Sequence, residues 1–209
     1  MFDTVRLGLF FLAALGLAIT PGPGIFYVLT RSIQGGRRDG LASALGTAVG
    51  GLGHVLAAGF GVSALLATSA TAFGVVKFAG AAYLVYLGLH TLLRRDDGPL
   101  DVAASPGGIR RAFTQGSTTE LLNPKTALFF LAFIPQFVDP ARPLMPQFLL
   151  LGTISVCCNT AVDVLVALVA GPLGGWLRRS ARLRRGQRAF TGCALVGLGA
   201  SVALADVRR

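Results

Sequence analysis

Residues Ala18–Tyr27 read AITPGPGIFY and lie inside an apolar run from about Val5 to Leu29. Two prolines and two glycines are the residues least suited to a helix interior. In hydrocarbon, a proline deprives a backbone carbonyl of its helical partner. Such a break persists where it is buried in protein or lines a watery cavity. A single proline would suggest a simple kink. Pro-Gly-Pro-Gly, together with a second break at Asn123-Pro124, suggests a site in which freed carbonyls and half-helix ends bind a small solute.

Composition sets the frame for this segment. The 209-residue chain is 53% hydrophobic and only 13% charged, where soluble domains carry roughly 25% charged residues. The reading is an all-α, polytopic membrane protein. Its formal net charge of +10 would also suit a nucleic-acid binder. The basic residues sit between apolar runs, however, and no nucleic acid is expected. Cys157, Cys158 and Cys193 all lie in apolar stretches without metal-ligand spacing, so they read as small packing residues. No metal and no cofactor are expected. The N-terminal run continues past any cleavage site and reads as a retained first span.

A spanning helix needs about 20 mostly apolar residues. Six segments qualify: Val5–Leu29, Leu41–Leu66, Thr71–Leu93, Ala112–Val138, Gln147–Leu168 and Ala189–Leu204. The links after spans one, three and five carry 13 arginines, against 4 on the other side. By the positive-inside rule these links are cytoplasmic and both termini face outward. The arginines are read as topology and lipid contacts with no substrate role. Residues 94–111 form a polar linker between 1–93 and 112–209 within a single transmembrane domain. When Pro21 is placed over Pro124, Ile19–Tyr27 aligns with Leu122–Phe130, and Ile25, Phe26 and Tyr27 meet Leu128, Phe129 and Phe130. Three spans per half is an odd number, so the architecture predicted is six transmembrane helices in two inverted three-helix repeats.

Ionisable residues within spans are costly and mark function by default. The candidates are Lys77, Glu120, Lys125 and Asp163, with Asn159 on the same helical face as Asp163. Asp163 is the leading proton or cation site, against a structural reading as a lysine's partner. Glu120 and Lys125 flank the second break and could pair with each other or with a solute. Lys77 could simply snorkel. His54 reads as an ordinary hydrogen-bonded histidine. Of 19 basic residues 17 are arginine, and the two lysines are the basic residues placed inside spans. A lysine can give up its charge on burial and an arginine does not. Tyr83 is read as either a cavity edge or a packed aromatic. Gly46 and Gly50 form a small-xxx-small pair for close helix packing.

TPGPG at Thr20–Gly24, KFAGAAYLVYLGLHTLL at Lys77–Leu93 and LLNPKTALFFLAFIPQF at Leu121–Phe137 resemble the lysine exporter (LysE/RhtB) family of amino-acid efflux proteins. The resemblance covers nearly the whole chain. It implies a bacterial inner-membrane transporter, not an enzyme, that exports amino acids or close analogues in exchange for protons. Pro21, Gly22, Pro23, Asn123, Pro124 and Lys125 match its signature positions. Glu120 departs from the neutral polar residue expected there, and an extra acid would favour a cationic amino acid. In the proposed site the broken ends Thr20–Gly24 and Asn123–Lys125 face each other across a cavity, with Pro21 and Pro124 close and at similar depth. Lys125 or freed helix N-termini would hold a carboxylate, and Asp163 or Glu120 a proton or amino group. The partners are an amino acid, protons and the bilayer, with a homodimer left open. Heavy-metal export is the alternative within transport, disfavoured by scarce soft ligands. An enzyme or a purely structural membrane protein is the alternative outside it.

Overall fold

The computed structural model describes residues 4–20, 22–62, 70–93, 108–139 and 141–179, together with isolated positions between 186 and 200. Among the described residues every regular element is helical. Helix α1 is Thr4–Ile19 and α2 is Pro23–Ala57, extended by a π-helical turn Ala58–Val62. Helix α3 is Ala70–Leu93 and α4 is Gly108–Leu121. Helix α5 starts as Pro124–Leu128, widens into a π-helical turn Phe129–Phe133 and tightens into a 3-10 turn Ile134–Phe137. Helix α6 is Leu144–Arg179.

The first two expected spans are joined by a link that is itself helical. Residues 30–40 are helical apart from Gly36, whose φ of 76° and ψ of −174° reverse the chain. That left-handed region costs a β-carbon-bearing residue about 1 kcal/mol or more, so glycine is the natural occupant. The two arms of α2 lie side by side: Ser32 abuts Gly40, and Val28 packs with Ala44. Arg31, read as a link arginine in contact with lipid, is instead 5% exposed and donates from Nε to the Tyr27 hydroxyl at 3.2 Å. Tyr27 in turn bonds to Ala112 O at 3.0 Å, which ties the first arm to α4.

The second arm of α2 is the centre of the bundle. It runs parallel to α4, with Gly46 against Phe113, Gly50 against Ser117 and Gly53 against Leu121. It runs antiparallel to α6, with Gly40 against Ala167, Gly51 against Val156 and Gly59 against Met145. Lipid offers apolar side chains no incentive to leave it, so close backbone approach through small residues does this work. A second packing unit is aromatic. Phe10 of α1 meets Phe129 and Phe137 with ring centroids 6.1 and 5.2 Å away, and Phe129 stacks on Phe133 at 5.0 Å.

Two described stretches, Pro23–Gly61 and Leu144–Ala170, are long and apolar enough to cross a membrane. The first turns back at Gly36, so its crossing part is the arm after that residue. The expected third span matches α3 to within one residue. The fourth starts earlier than expected, at Gly108, inside the presumed linker. The sixth, Ala189–Leu204, lies mostly outside the described residues; its Gly199 sits against Ala81 and Val85 of α3.

Candidate functional site

Both helix breaks orphan a carbonyl by the same chemistry. Proline has no N–H, so Pro21 leaves Leu17 O, and Pro124 leaves Glu120 O, without the usual donor four residues on. The residue before each proline reaches back in compensation: Thr20 N lies 3.1 Å from Leu17 O and Asn123 N lies 3.0 Å from Glu120 O. A distant side chain then completes each carbonyl. Lys125 Nζ donates to Leu17 O at 3.2 Å and to Thr20 O at 2.9 Å. His54 Nε2 lies 3.0 Å from Glu120 O. A carbonyl only accepts, so Nε2 is the protonated nitrogen of this histidine.

The chain leaves the two breaks differently. Helix α2 restarts with Pro23 in its first turn and Gly22 as an N-cap without a side-chain bond. Helix α5 restarts with Pro124, and Asn123 Oδ1 accepts from Lys125 N at 3.1 Å. On the incoming side, Pro21 therefore corresponds to Pro124. On the outgoing side, Pro23 corresponds to Pro124. The first break is an expanded version of the second. Its glycines make room for the second break's side chains. A β-carbon on Gly22 would lie 3.1 Å from Lys125 Nζ, and one on Gly24 would lie 2.6 Å from Glu120 Oε2.

Glu120 stitches its own break together. Its Oε1 accepts from the Thr126 hydroxyl at 2.6 Å and its Oε2 from Asn123 Nδ2 at 3.0 Å. Leucine at position 120 leaves those two buried donors unmatched and should lower stability by about 2 kcal/mol. Glutamine can give its oxygen to Asn123 and its amide N–H to the Thr126 hydroxyl, so Glu120→Gln should cost under about 1 kcal/mol. Thermal unfolding of the two purified variants checks the contrast.

These groups border a cavity of about 20 Å3 whose lining includes Glu120, Asn123, Lys125, Ser155, Asn159 and Asp163, with Gly24, Thr47, Thr126 and Phe130. This is room for about one water molecule. Asp163 is 4% exposed and its Oδ2 accepts from Thr47 Oγ1 at 2.8 Å. Asn159 Nδ2 donates to Ser155 O at 2.9 Å, one helical turn back. Residues 155, 159 and 163 put three polar side chains on one face of an otherwise apolar helix. His54 stacks on the lining residue Phe130, with ring centroids 5.9 Å apart.

Comparison with known proteins places this architecture. The model of the LysE type translocator family matches residues 15–206. The chain belongs to the LysE type translocator family. A homoserine/homoserine lactone efflux protein of Salmonella typhimurium is 31% identical over 83% of this chain and 84% of its own length. A leucine efflux protein of Klebsiella pneumoniae is 30% identical over 90% of this chain and 88% of its own. An uncharacterised membrane protein of Vibrio cholerae is 33% identical over 94% and 95%. No solved structure matches the chain. The family and these efflux proteins are transporters, not enzymes.

In this LysE family member, Glu120, Asn123, Lys125, Asn159 and Asp163 converge on one cavity. Thr20 and Gly22 join it through Lys125, and Pro23 and Pro124 begin the two outgoing helices. Pro21 lies outside the described residues, although its neighbours Thr20 and Gly22 both touch Lys125. The Lys77 side chain also lies outside them. Tyr83 is not at the cavity: it is 42% exposed on α3 and pairs with Tyr86 at 5.9 Å. Glu120 and Lys125 direct their hydrogen bonds to different partners rather than to each other. Sequence reading passed over Thr47, Thr126 and Ser155 as site residues. Ser155 was detectable from its four-residue spacing to Asn159 and Asp163; Thr47 shows its role only once α2 and α6 are packed.

Proposed function

We propose that this LysE family member exports an amino acid or close analogue across the bacterial inner membrane by proton antiport. The observation that carries the reading is the meeting of the two helix breaks through Lys125, beside a cavity that holds Glu120 and Asp163. Two carboxylates and one ammonium around one cavity suit a small zwitterionic or cationic solute. The named functions of the Salmonella and Klebsiella relatives fit that class.

The architecture proposed is six spans in two inverted three-helix repeats, with both termini outward. The matched chemistry at Leu17-Pro21 and Glu120-Pro124 supports the repeat, and the arginine distribution supports the orientation. A cavity with room for about one water is closed to an amino acid, so the site must open to each side in turn. Asp163 gives up its proton as substrate binds, and antiport follows if the two openings differ in affinity for proton and substrate.

The direct test uses inside-out vesicles with an imposed proton gradient, interior acid, and labelled leucine or homoserine outside. Uptake should require the protein and collapse when a protonophore dissipates the gradient. Uptake equal to that of vesicles lacking the protein, for these and a panel of other amino acids, would refute the export reading.

A further inference from the structure

Lys125 is the feature that transport chemistry leaves unexplained. Its side chain is 6% exposed, and its amine spans more than a hundred residues of sequence to reach carbonyls of the first break. A lysine intended to hold a substrate carboxylate would direct its donors into the cavity. This one directs two of its three donors at Leu17 O and Thr20 O. Leu17 O is the acceptor orphaned by Pro21, and Thr20 O lies just beyond the end of α1. They form the negative end of a half-helix, a place suited to a cation. Glycine at position 22 keeps the approach to that place open, since a β-carbon there would press on Lys125 Cε and Nζ at 3.1 Å.

We propose that Leu17 O and Thr20 O form the subsite for a primary ammonium group. In the empty transporter Lys125 occupies it as a tethered stand-in for the substrate. When an amino acid enters, its ammonium takes the two carbonyls, and Lys125 turns toward the carboxylates of Glu120 and Asp163 in the same cavity. Leu17 O keeps the Thr20 N–H in either state, and the exchange of one ammonium for another spares Thr20 O an unmatched state, which is costly in a membrane interior. The stand-in also explains why the empty site can close: the ammonium-shaped gap is already filled. This deepens the export reading and depends on it only for the identity of the natural ligand.

Removing Lys125 distinguishes this from the two simpler roles. A carboxylate-binding lysine predicts weaker substrate binding by Lys125→Ala. A purely structural tie predicts binding that is unchanged or lost. A tethered competitor predicts tighter binding, by roughly tenfold, the scale of one charge-assisted hydrogen bond released. The purified full chain in nanodiscs is titrated with leucine and homoserine, and thermal unfolding of the same variant is followed in ethylammonium and in tetramethylammonium. Ethylammonium should raise the melting temperature of Lys125→Ala at concentrations that raise that of the unchanged protein far less, because Lys125 competes with it there. Tetramethylammonium, which has no N–H, should raise neither. Because it uses no amino acid, the ethylammonium arm decides the subsite even if the export reading fails.

Weaker amino-acid binding by Lys125→Ala, or no response to ethylammonium, overturns the proposal. Should Lys125→Ala not fold, Lys77→Arg leaves a chain with one lysine, whose 15Nζ resonance reports Lys125 directly. Saturating leucine, or ethylammonium if no amino acid binds, should shift that resonance. Binding without a shift overturns the proposal.

Discussion

Asp163→Asn should abolish proton-driven export while leaving a folded protein that still exchanges substrate across the membrane. The two cavity carboxylates are not equivalent. Both oxygens of Glu120 are taken by Asn123 and Thr126 within its own break. Asp163 bonds through Oδ2 to Thr47, across from α6 to α2. Asparagine has nearly the same shape and keeps an acceptor for the Thr47 hydroxyl, so packing is preserved and only the titratable group is lost. The stimulation of uptake by an imposed gradient should fall to none, and counterflow of labelled against unlabelled leucine should persist. Equal gradient-driven uptake by Asp163→Asn and the unchanged protein would remove Asp163 from coupling.

What could be read from sequence follows from the distance over which each signal acts. Apolar runs and prolines are local, so α3 was placed to within a residue and both breaks were found. The four-residue spacing of Asn159 and Asp163 is local as well, and both line the cavity. The acceptors of Lys125 and the partner of His54 lie on other helices. No property of the residues near 125 or 54 points to them. Arg31 shows the limit of charge counting: composition put it in a cytoplasmic link, and the hairpin at Gly36 folds it inside against Tyr27. Gly35-Gly36 did carry a turn signal, since a positive φ is glycine's usual reason to interrupt a helix. The neighbouring charges suggested a longer link than the single reversing residue. Tyr83 had an apolar helix on both sides, and sequence alone could not decide which face of α3 it takes.

Gly50→Val should be among the most damaging single changes in the bundle, costing about 3 kcal/mol or more and leaving little folded protein in detergent. A β-carbon at position 50 would lie 2.5 Å from Ser117 O, 2.9 Å from Glu120 Cβ and 3.0 Å from Leu121 N. Two of these three are main-chain atoms of α4, which cannot rotate away as a side chain does. Relief requires α2 and α4 to separate along their contact, where a β-carbon on Gly116 would also lie 2.7 Å from Ser43 O. Overpacking a well-filled interface costs typically 1–3 kcal/mol when side chains can adjust, so an obstruction by backbone belongs at or above the upper end. The same shift pulls Glu120 O away from His54 of α2, so the site is disturbed along with the packing. Gly8→Val is the control: a β-carbon there meets nothing within 4 Å, and its melting temperature should stay within a few degrees of the unchanged protein. If Gly50→Val melts like Gly8→Val, the close approach of α2 to α4 is wrong, and with it the position assigned to Glu120.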